Sequence, residues 1–379
     1  MQIAAGAAPL IHVSDAEPPE ADVWVPPAPV HPPLRPRKLS RAAVDDGWRR
    51  HSYSALTRAD LAAQREELVD PVRGLGFDDD RVAGHSGGAS PHPAAASDEP
   101  DVPLARFPAG ADAGTCLHAI FEFLDFHRCI HEDDGPEHLQ VVLRRQLGAH
   151  GFNDPALEPI VSTGFPAVLR TPLGPLLPNT TLGDIPLKDR LDELRFDFPV
   201  AGAGEGVTAA GLSAALALRD PDDTTVPRDW IDRVALLDFP PLVGFMTGSI
   251  DLVFRAPSHG HMRWYVADYK SNRLDPDRTG RTPASHFGLD PMRHEMAHHH
   301  YFLQYHLYTL ALHRMLKWRL GPAYSYEDDM GGVLYLFVRG MTGPDAVTAA
   351  GTRGVFCDRP PFEVIDELDT LFGRVEVPQ

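Results

Sequence analysis

The chain has 379 residues, 43% of them hydrophobic, enough to bury a sizeable core as one large domain or two smaller ones. Its net charge of −18 argues on average against a polyanionic partner, but Phe239 to Leu320 reverse the balance, with ten Arg and Lys against six Asp and Glu and nine His besides. A basic region of that kind is compatible with a phosphate-facing groove, while the lack of any run of about 18 apolar residues argues against a membrane span.

Residues 1 to about 47 are Pro-rich and without hydrophobic period, and read as a disordered, polyproline-like linker. A linker at the very start suggests that something once preceded it. The opening MQIAAGAAPLIHVSDAEPPE lacks a basic n-region and meets acids early, so no secretory signal is expected and the default compartment is cytoplasmic. An ordered piece, WRRHSYSALTRADL from Trp48 to Leu61, gives way to a flexible insert at about 78–105 containing GHSGGASPHPAAASDEP.

Order resumes at Gly114 in GTCLHAIFEFLDFHRCI, where Leu117, Ile120, Phe121 and Leu124 follow helical spacing, with Thr115 near the start. His118, Glu122 and Asp125 form a neighbouring polar stripe. A second helix is expected in EHLQVVLRRQLG, closed by Gly148. In ELRFDFPV, Leu194, Phe196, Phe198 and Val200 alternate as in a half-buried strand. GSIDLVFRAPSHGHMRWYVADYK then reads as a hairpin, followed by a long helix, roughly Met292 to Arg319, and the strand VLYLFVRG. This order implies a mixed α/β domain.

The hairpin carries the chemistry. Asp251 points away from Ile250, Leu252 and Phe254, while Asp268 and Lys270 share a face with Trp264 and Val266, about 6.6 Å apart. Two carboxylates brought together in a partly apolar site repel unless a cation lies between them, and Mg²⁺ takes such oxygen ligands. A lysine beside them could orient or deprotonate a water, or neutralise charge developing on a phosphate. By spacing alone, an exposed Asp–Lys pair is the commoner outcome. No GxxxxGK[ST] or GxGxxG motif is present, so nucleotide hydrolysis is not encoded.

GTCLHAIFE, GSIDLVF, YVADYKSN and YFLQYHLYTLALHRML resemble, in this order, the successive motifs of RecB-type nucleases, a branch of the PD-(D/E)XK superfamily. Within that branch the likeness is to the C-terminal nuclease domain of RecB, the beta subunit of bacterial exodeoxyribonuclease V. It runs from about Trp48 through Val333 to Arg339, without the helicase part. The resemblance implies a restriction-endonuclease-like core, a mixed β-sheet flanked by helices, within one nuclease domain over 48–379. It also implies Mg²⁺-dependent hydrolysis of DNA phosphodiester bonds in recombinational repair of double-strand breaks. His118, Asp251 and Asp268 match the family's ligands for one or two Mg²⁺ ions, and the backbone carbonyl of Tyr269 is expected to complete the coordination. Lys270 matches the water-activating lysine, and Gln304 and Tyr308 match a Q-x-x-x-Y motif thought to contact DNA. If the likeness extends to assembly, the partners are linear DNA with single-stranded ends and the RecC and RecD subunits. A non-catalytic DNA- or RecC-docking remnant and a free-standing RecB-like exonuclease remain alternatives. Cys116, Cys129 and Cys357 are too few for the thiolate set of an iron–sulfur cluster and read as small buried apolar residues.

Gln304 and Tyr308 lie four apart on one helix face, and His300 is expected to extend that row. Glu122, one turn from His118, is expected to hold its ring. Glu193 reads more readily as a solvated strand-edge residue than as a further ligand. Consecutive His298, His299 and His300 point about 100° apart on a helix and cannot close around one zinc ion. Arg273, Arg278 and Arg281 could contact phosphates, though a charged loop is usually only solvated.

Overall fold

The computed structural model describes residues 48–66, 99–200, 206–258, 260–275 and 280–374. The expected linker and residues 78–98 of the expected insert lie outside them. Residues 99–105 of that insert are described: Asp101 is bridged to Pro283, and a 3₁₀ turn begins at Pro103.

In chain order, β1 (Arg49–His51) and α1 (Tyr53–Glu66) are followed by α2 (Ala111–Phe123), α3 (Phe126–His131), α4 (Gly135–Ala149) and α5 (Leu157–Leu169). β2 (Arg190–Val200) leads through α6 (Ala209–Leu216) and α7 (Arg228–Val234) to β3 (Gly244–Ser258) and β4 (His261–Lys270). Then come α8 (Leu289–His298), α9 (Tyr301–Leu320), α10 (Tyr326–Asp329), β5 (Met330–Phe337), β6 (Val347–Thr348), β7 (Gly351–Thr352), β8 (Val355–Asp358) and α11 (Phe362–Leu371).

The main sheet runs β1-β3-β4-β5-β8, with β2 paired to β3. β3 and β4 form the expected hairpin, closing at Ser258↔His261. β4 and β5 are parallel, joined by a crossover that includes α8 and α9, whereas β5 and β8 are antiparallel. The sheet is therefore mixed. β5, MGGVLYLF, is buried at every position, as a central strand covered on both faces must be. Gly331 meets a specific demand there, because a Cβ would run into the Tyr265 ring beside it.

Side-chain alternation divides the core into two. Val266, Val333, Tyr335 and Phe337 face one cluster with residues from α1, α6, α7, α8, α9 and α11. Tyr265, Ala267, Tyr269, Leu334 and Leu336 face the other, with residues from α2, α3, α4 and α5. The result is three layers, helices on both sides of a mixed sheet. Each fully buried Leu, such as Leu303 or Leu310 of α9, contributes about 1.5–3 kcal/mol through burial.

Several helix boundaries differ from the sequence reading. α2 begins at Ala111 behind Gly110, whose φ of 106° favours glycine, and Thr115 lies inside the helix with its hydroxyl donating to the Ala111 carbonyl. Asp125 leaves the expected polar stripe to cap α3, accepting from Arg128 N–H at 3.2 Å. Gly148 stays within α4, and the left-handed residue after it is Gly151, φ 80°. The single long helix expected from Met292 to Arg319 is two, α8 and α9, broken at His299–His300, with His300 left-handed at φ 55°. Tyr53 OH donates to the His299 carbonyl and His300 Nε2 lies 2.7 Å from Asp60 Oδ2, so α1 pins the break.

Candidate metal centre at the parting of β3 and β4

β2 pairs with β3 from Val200↔Gly244 to Arg190↔Phe254. On the other edge of β3, β1 covers Gly244–Met246 and β4 begins at Leu252↔Ala267. Between them, among the described residues, β3 has no strand neighbour on that edge, and Asp251 and Asp268 stand one position past the last pair. Asp251 supplies the missing acceptor: its Oδ2 takes the Tyr269 N–H at 2.8 Å, tying β3 to β4 where the ladder stops.

α2 brings His118 to this gap. Phe121 stacks on the Tyr269 ring at 4.0 Å between centroids, 7° from parallel, and His118 meets the same ring edge-on at 6.0 Å. His118 Nδ1 thereby lies 3.4 Å from Asp251 Oδ2, each side chain 15% exposed.

β2 contributes a third group. Its register runs unchanged from Asp192↔Leu252 to Leu194↔Ile250, which sets Glu193 opposite Asp251 at the one interrupted position, with a left-handed backbone at φ 48°. The Glu193 carboxylate accepts from Ser249 Oγ at 2.9 Å. One ligand atom each from His118, Glu193 and Asp251 lie within 4.8 Å of one another.

Asp268 and Lys270 face α9. Lys270 Nζ is 2.8 Å from Asp268 Oδ2, with the two side chains 2% and 1% exposed. Nζ also donates to Gln304 Oε1 at 3.2 Å and lies 3.9 Å from the centre of the Tyr301 ring and 5.3 Å from that of Tyr335.

The electrostatics follow from this crowding. Burial lowers the His118 pKa, but the Asp251 carboxylate beside it dominates with smaller help from Asp268, raising the ring to about 9. Asp251 is held below the usual carboxylate range: burial opposes this, and His118 and Lys270 outweigh it. Glu193 is pushed up by burial and by the like charge of Asp251. On the same strand, burial raises Asp192 to about 6 despite its bond to Arg190.

The expected residues thus fall into two adjoining groups. His118 and Asp251 meet, joined by Glu193 in place of the solvated role expected for it. Asp268 is absent from that trio and is held by Lys270, near enough for its charge to be felt at His118. Tyr269 supplies its N–H to Asp251 and its ring to Phe121. Gln304 and Tyr308 are buried, 0% and 6% exposed, and stand beside the site, Gln304 bonded to both Lys270 and Tyr308. His300 pairs with Asp60 and does not extend their row. Glu122 is exposed, and the carboxylate beside the His118 ring is that of Asp251. Arg273 donates to the Ala105 carbonyl, and Arg281 lies beside Asp101 and donates to the Glu99 carbonyl, so both bind the protein itself. Arg278 lies outside the described residues. Cys116 is buried, whereas Cys129 and Cys357 are partly buried, and all three are free thiols. Glu193 read as solvated in the sequence because a single left-handed backbone residue leaves no mark on an alternating pattern. The only signal was its position ahead of LRFDFPV, opposite an aspartate in the neighbouring strand.

The trio's chemistry suits a hard divalent cation. Two Mg²⁺ ligands on opposite sides of the ion stand about 4.2 Å apart, so a spread of up to 4.8 Å closes with a shift of a few tenths of an ångström. Two carboxylates and an imidazole otherwise crowd together at a half-buried point.

The chain is 36% identical over 362 residues to the RecBCD enzyme subunit RecB of Mycolicibacterium smegmatis, covering 92% of this chain and 31% of that protein. It is 35% identical over 346 residues to the same subunit of Mycobacterium tuberculosis, covering 87% and 29%. With RecB of Escherichia coli K12 the identity is 32% over 331 residues, covering 86% and 23%. The chain spans less than a third of the length of these relatives. No family model matches it.

Proposed function

This chain is RecB-like, and from that premise we propose that residues 48–379 form a nuclease domain of the PD-(D/E)XK type that hydrolyses DNA phosphodiester bonds with Mg²⁺. The observation that carries the reading is the meeting, where β3 and β4 part, of the His118–Glu193–Asp251 cluster with the buried Asp268–Lys270 pair.

His118, Glu193 and Asp251 would hold the ion, with Asp268 at its margin. A bound Mg²⁺ supplies positive charge against the phosphate oxygens and acidifies water. The chain's own groups do the rest. The Tyr269 N–H fixes one Asp251 oxygen, leaving the other for coordination. Phe121 and Tyr269 close the α2 side with stacked apolar surface, keeping the dielectric low and charge interactions strong. Lys270 Nζ can take a proton from an attacking water when it is the neutral amine, becoming the ammonium, or as an ammonium offset charge developing on the transferred phosphate.

The purified chain with Mg²⁺ is expected to degrade linear single-stranded DNA, and chelation is expected to stop it. Asp251→Ala and Lys270→Ala should each abolish cleavage with the circular dichroism spectrum retained. Unchanged cleavage in both would overturn the proposal.

The wider role is a cytoplasmic nuclease in recombinational repair of double-strand breaks, assembled with RecC and RecD and fed by a helicase motor, residues 1–47 acting as a tether. Its RecB-like character supports this. Among the described residues, no helix is long and apolar enough to cross a membrane. Co-purification with RecC and RecD tests the assembly.

A further inference from the structure

We infer that Tyr335 and Tyr308 act as positioning residues for Lys270, working through the Gln304 amide. Gln304 Oε1 accepts from Lys270 Nζ at 3.2 Å and from Tyr335 OH at 2.7 Å, while Gln304 Nε2 donates to Tyr308 OH at 3.1 Å. This arrangement determines which way the amide faces. Turned over, it would set NH₂ against an ammonium, which can only donate, a repulsive contact in a buried site, whereas the phenol hydroxyls can serve as donor or acceptor.

With the amide locked at both ends, its oxygen is a fixed anchor for Nζ. The second anchor is Asp268 Oδ2 at 2.8 Å, and the Tyr301 face lies against the ammonium at 3.9 Å. A flexible four-carbon side chain is thereby held at one point near the parting of β3 and β4. Gln304 and Tyr335 are 0% exposed, and they come from α9 and β5, 31 residues apart in the chain. The Q-x-x-x-Y pair thus serves here to hold the lysine, and Tyr335, which no motif singled out, completes the device. The catalytic meaning of this placement rests on the nuclease reading, whereas the placement itself can be measured without it.

The test uses the full chain with ¹³C-labelled lysine, the Lys270 side-chain resonances being assigned as those lost in Lys270→Arg. In the wild type, the Tyr301 ring is expected to shift the Lys270 methylene protons upfield. Tyr335→Phe removes only the hydroxyl bound to Gln304, and Tyr308→Phe only the acceptor at the other end. Both variants are expected to move or broaden the Lys270 signals while thermal melting shows an intact fold. In the DNA assay, kcat should fall by about 10-fold or more with KM little changed, as expected of a misplaced reacting group. Wild-type Lys270 resonances in both folded variants would overturn the inference, as would a rise in KM at constant kcat. A wild-type chain inert toward DNA would overturn the nuclease reading alone, and the resonances would still decide the positioning.

Discussion

Glu193→Gln tests the metal centre most directly, because the substitution keeps the size and hydrogen-bonding reach of the side chain and removes only its charge. The backbone at φ 48° accepts Gln as readily as Glu. In the ion-free protein, Glu193 and Asp251 oppose each other across at most 4.8 Å. At an effective dielectric constant of 20, the repulsion between two full charges is about 3.5 kcal/mol or more. The charge of His118 offsets part of it, so neutralising Glu193 should leave the ion-free protein as stable as the wild type or slightly more so. With Mg²⁺ the sign reverses, because the lost carboxylate is then an attraction. Affinity should fall by about 10- to 100-fold, or 1.4 to 2.7 kcal/mol. Thermal melting with and without Mg²⁺, with calorimetric titration of the ion, measures both effects. Glu122→Gln, one turn from His118 on the exposed side, should change neither. Undiminished Mg²⁺ affinity in Glu193→Gln would refute the assignment.

Other perturbations probe how the centre is held. Arg339 is 1% exposed and donates to the carbonyls of Leu104, Phe107, Pro108 and Ser271, fastening the segment ahead of α2 to the end of β4. Arg339→Met should cost about 3–5 kcal/mol in urea denaturation, because those acceptors stay buried without donors; a loss under 1 kcal/mol would show that water replaces the guanidinium. Phe121→Ala removes the ring stacked on Tyr269 and should cost about 3–5 kcal/mol, with a larger fractional loss of Mg²⁺ affinity than Phe121→Leu. Glu295 is held below its ordinary pKa of 4.5: burial opposes this, but hydrogen bonds from His299 and Asn272 prevail. Its contribution is therefore complete above the unfolded value and is lost as pH falls through the lower folded one, so Glu295→Gln should flatten the acid limb of the stability curve.

The apolar periods located most of what becomes regular structure here. Period-two stretches became β2, β3 and β4, and the helical spacing around His118 became α2. What periodicity missed were the interruptions. The long expected helix carries no proline at its break; it parts because α1 pins the His299 carbonyl and the His300 ring from outside. α9 can therefore start afresh under the sheet and bring Gln304 to Lys270.

The same division holds at the site. His118, Asp251, Asp268, Tyr269, Lys270, Gln304 and Tyr308 could all be named from local motifs, because each lies within a short run of distinctive residue types. Their grouping could not. Alternation in the hairpin put Asp251 opposite Asp268, but where β3 and β4 part depends on β1 and β2, which come from elsewhere in the chain. That parting lets Asp251 reach Tyr269 N–H and His118, and it leaves Asp268 to Lys270. The sequence by itself determined which residue types are available for chemistry and on which kind of element each stands. Tertiary structure alone decided that Glu193 joins His118 and Asp251 and that Tyr335 shares an acceptor with Lys270, because both depend on packing between strands and helices that no local pattern records.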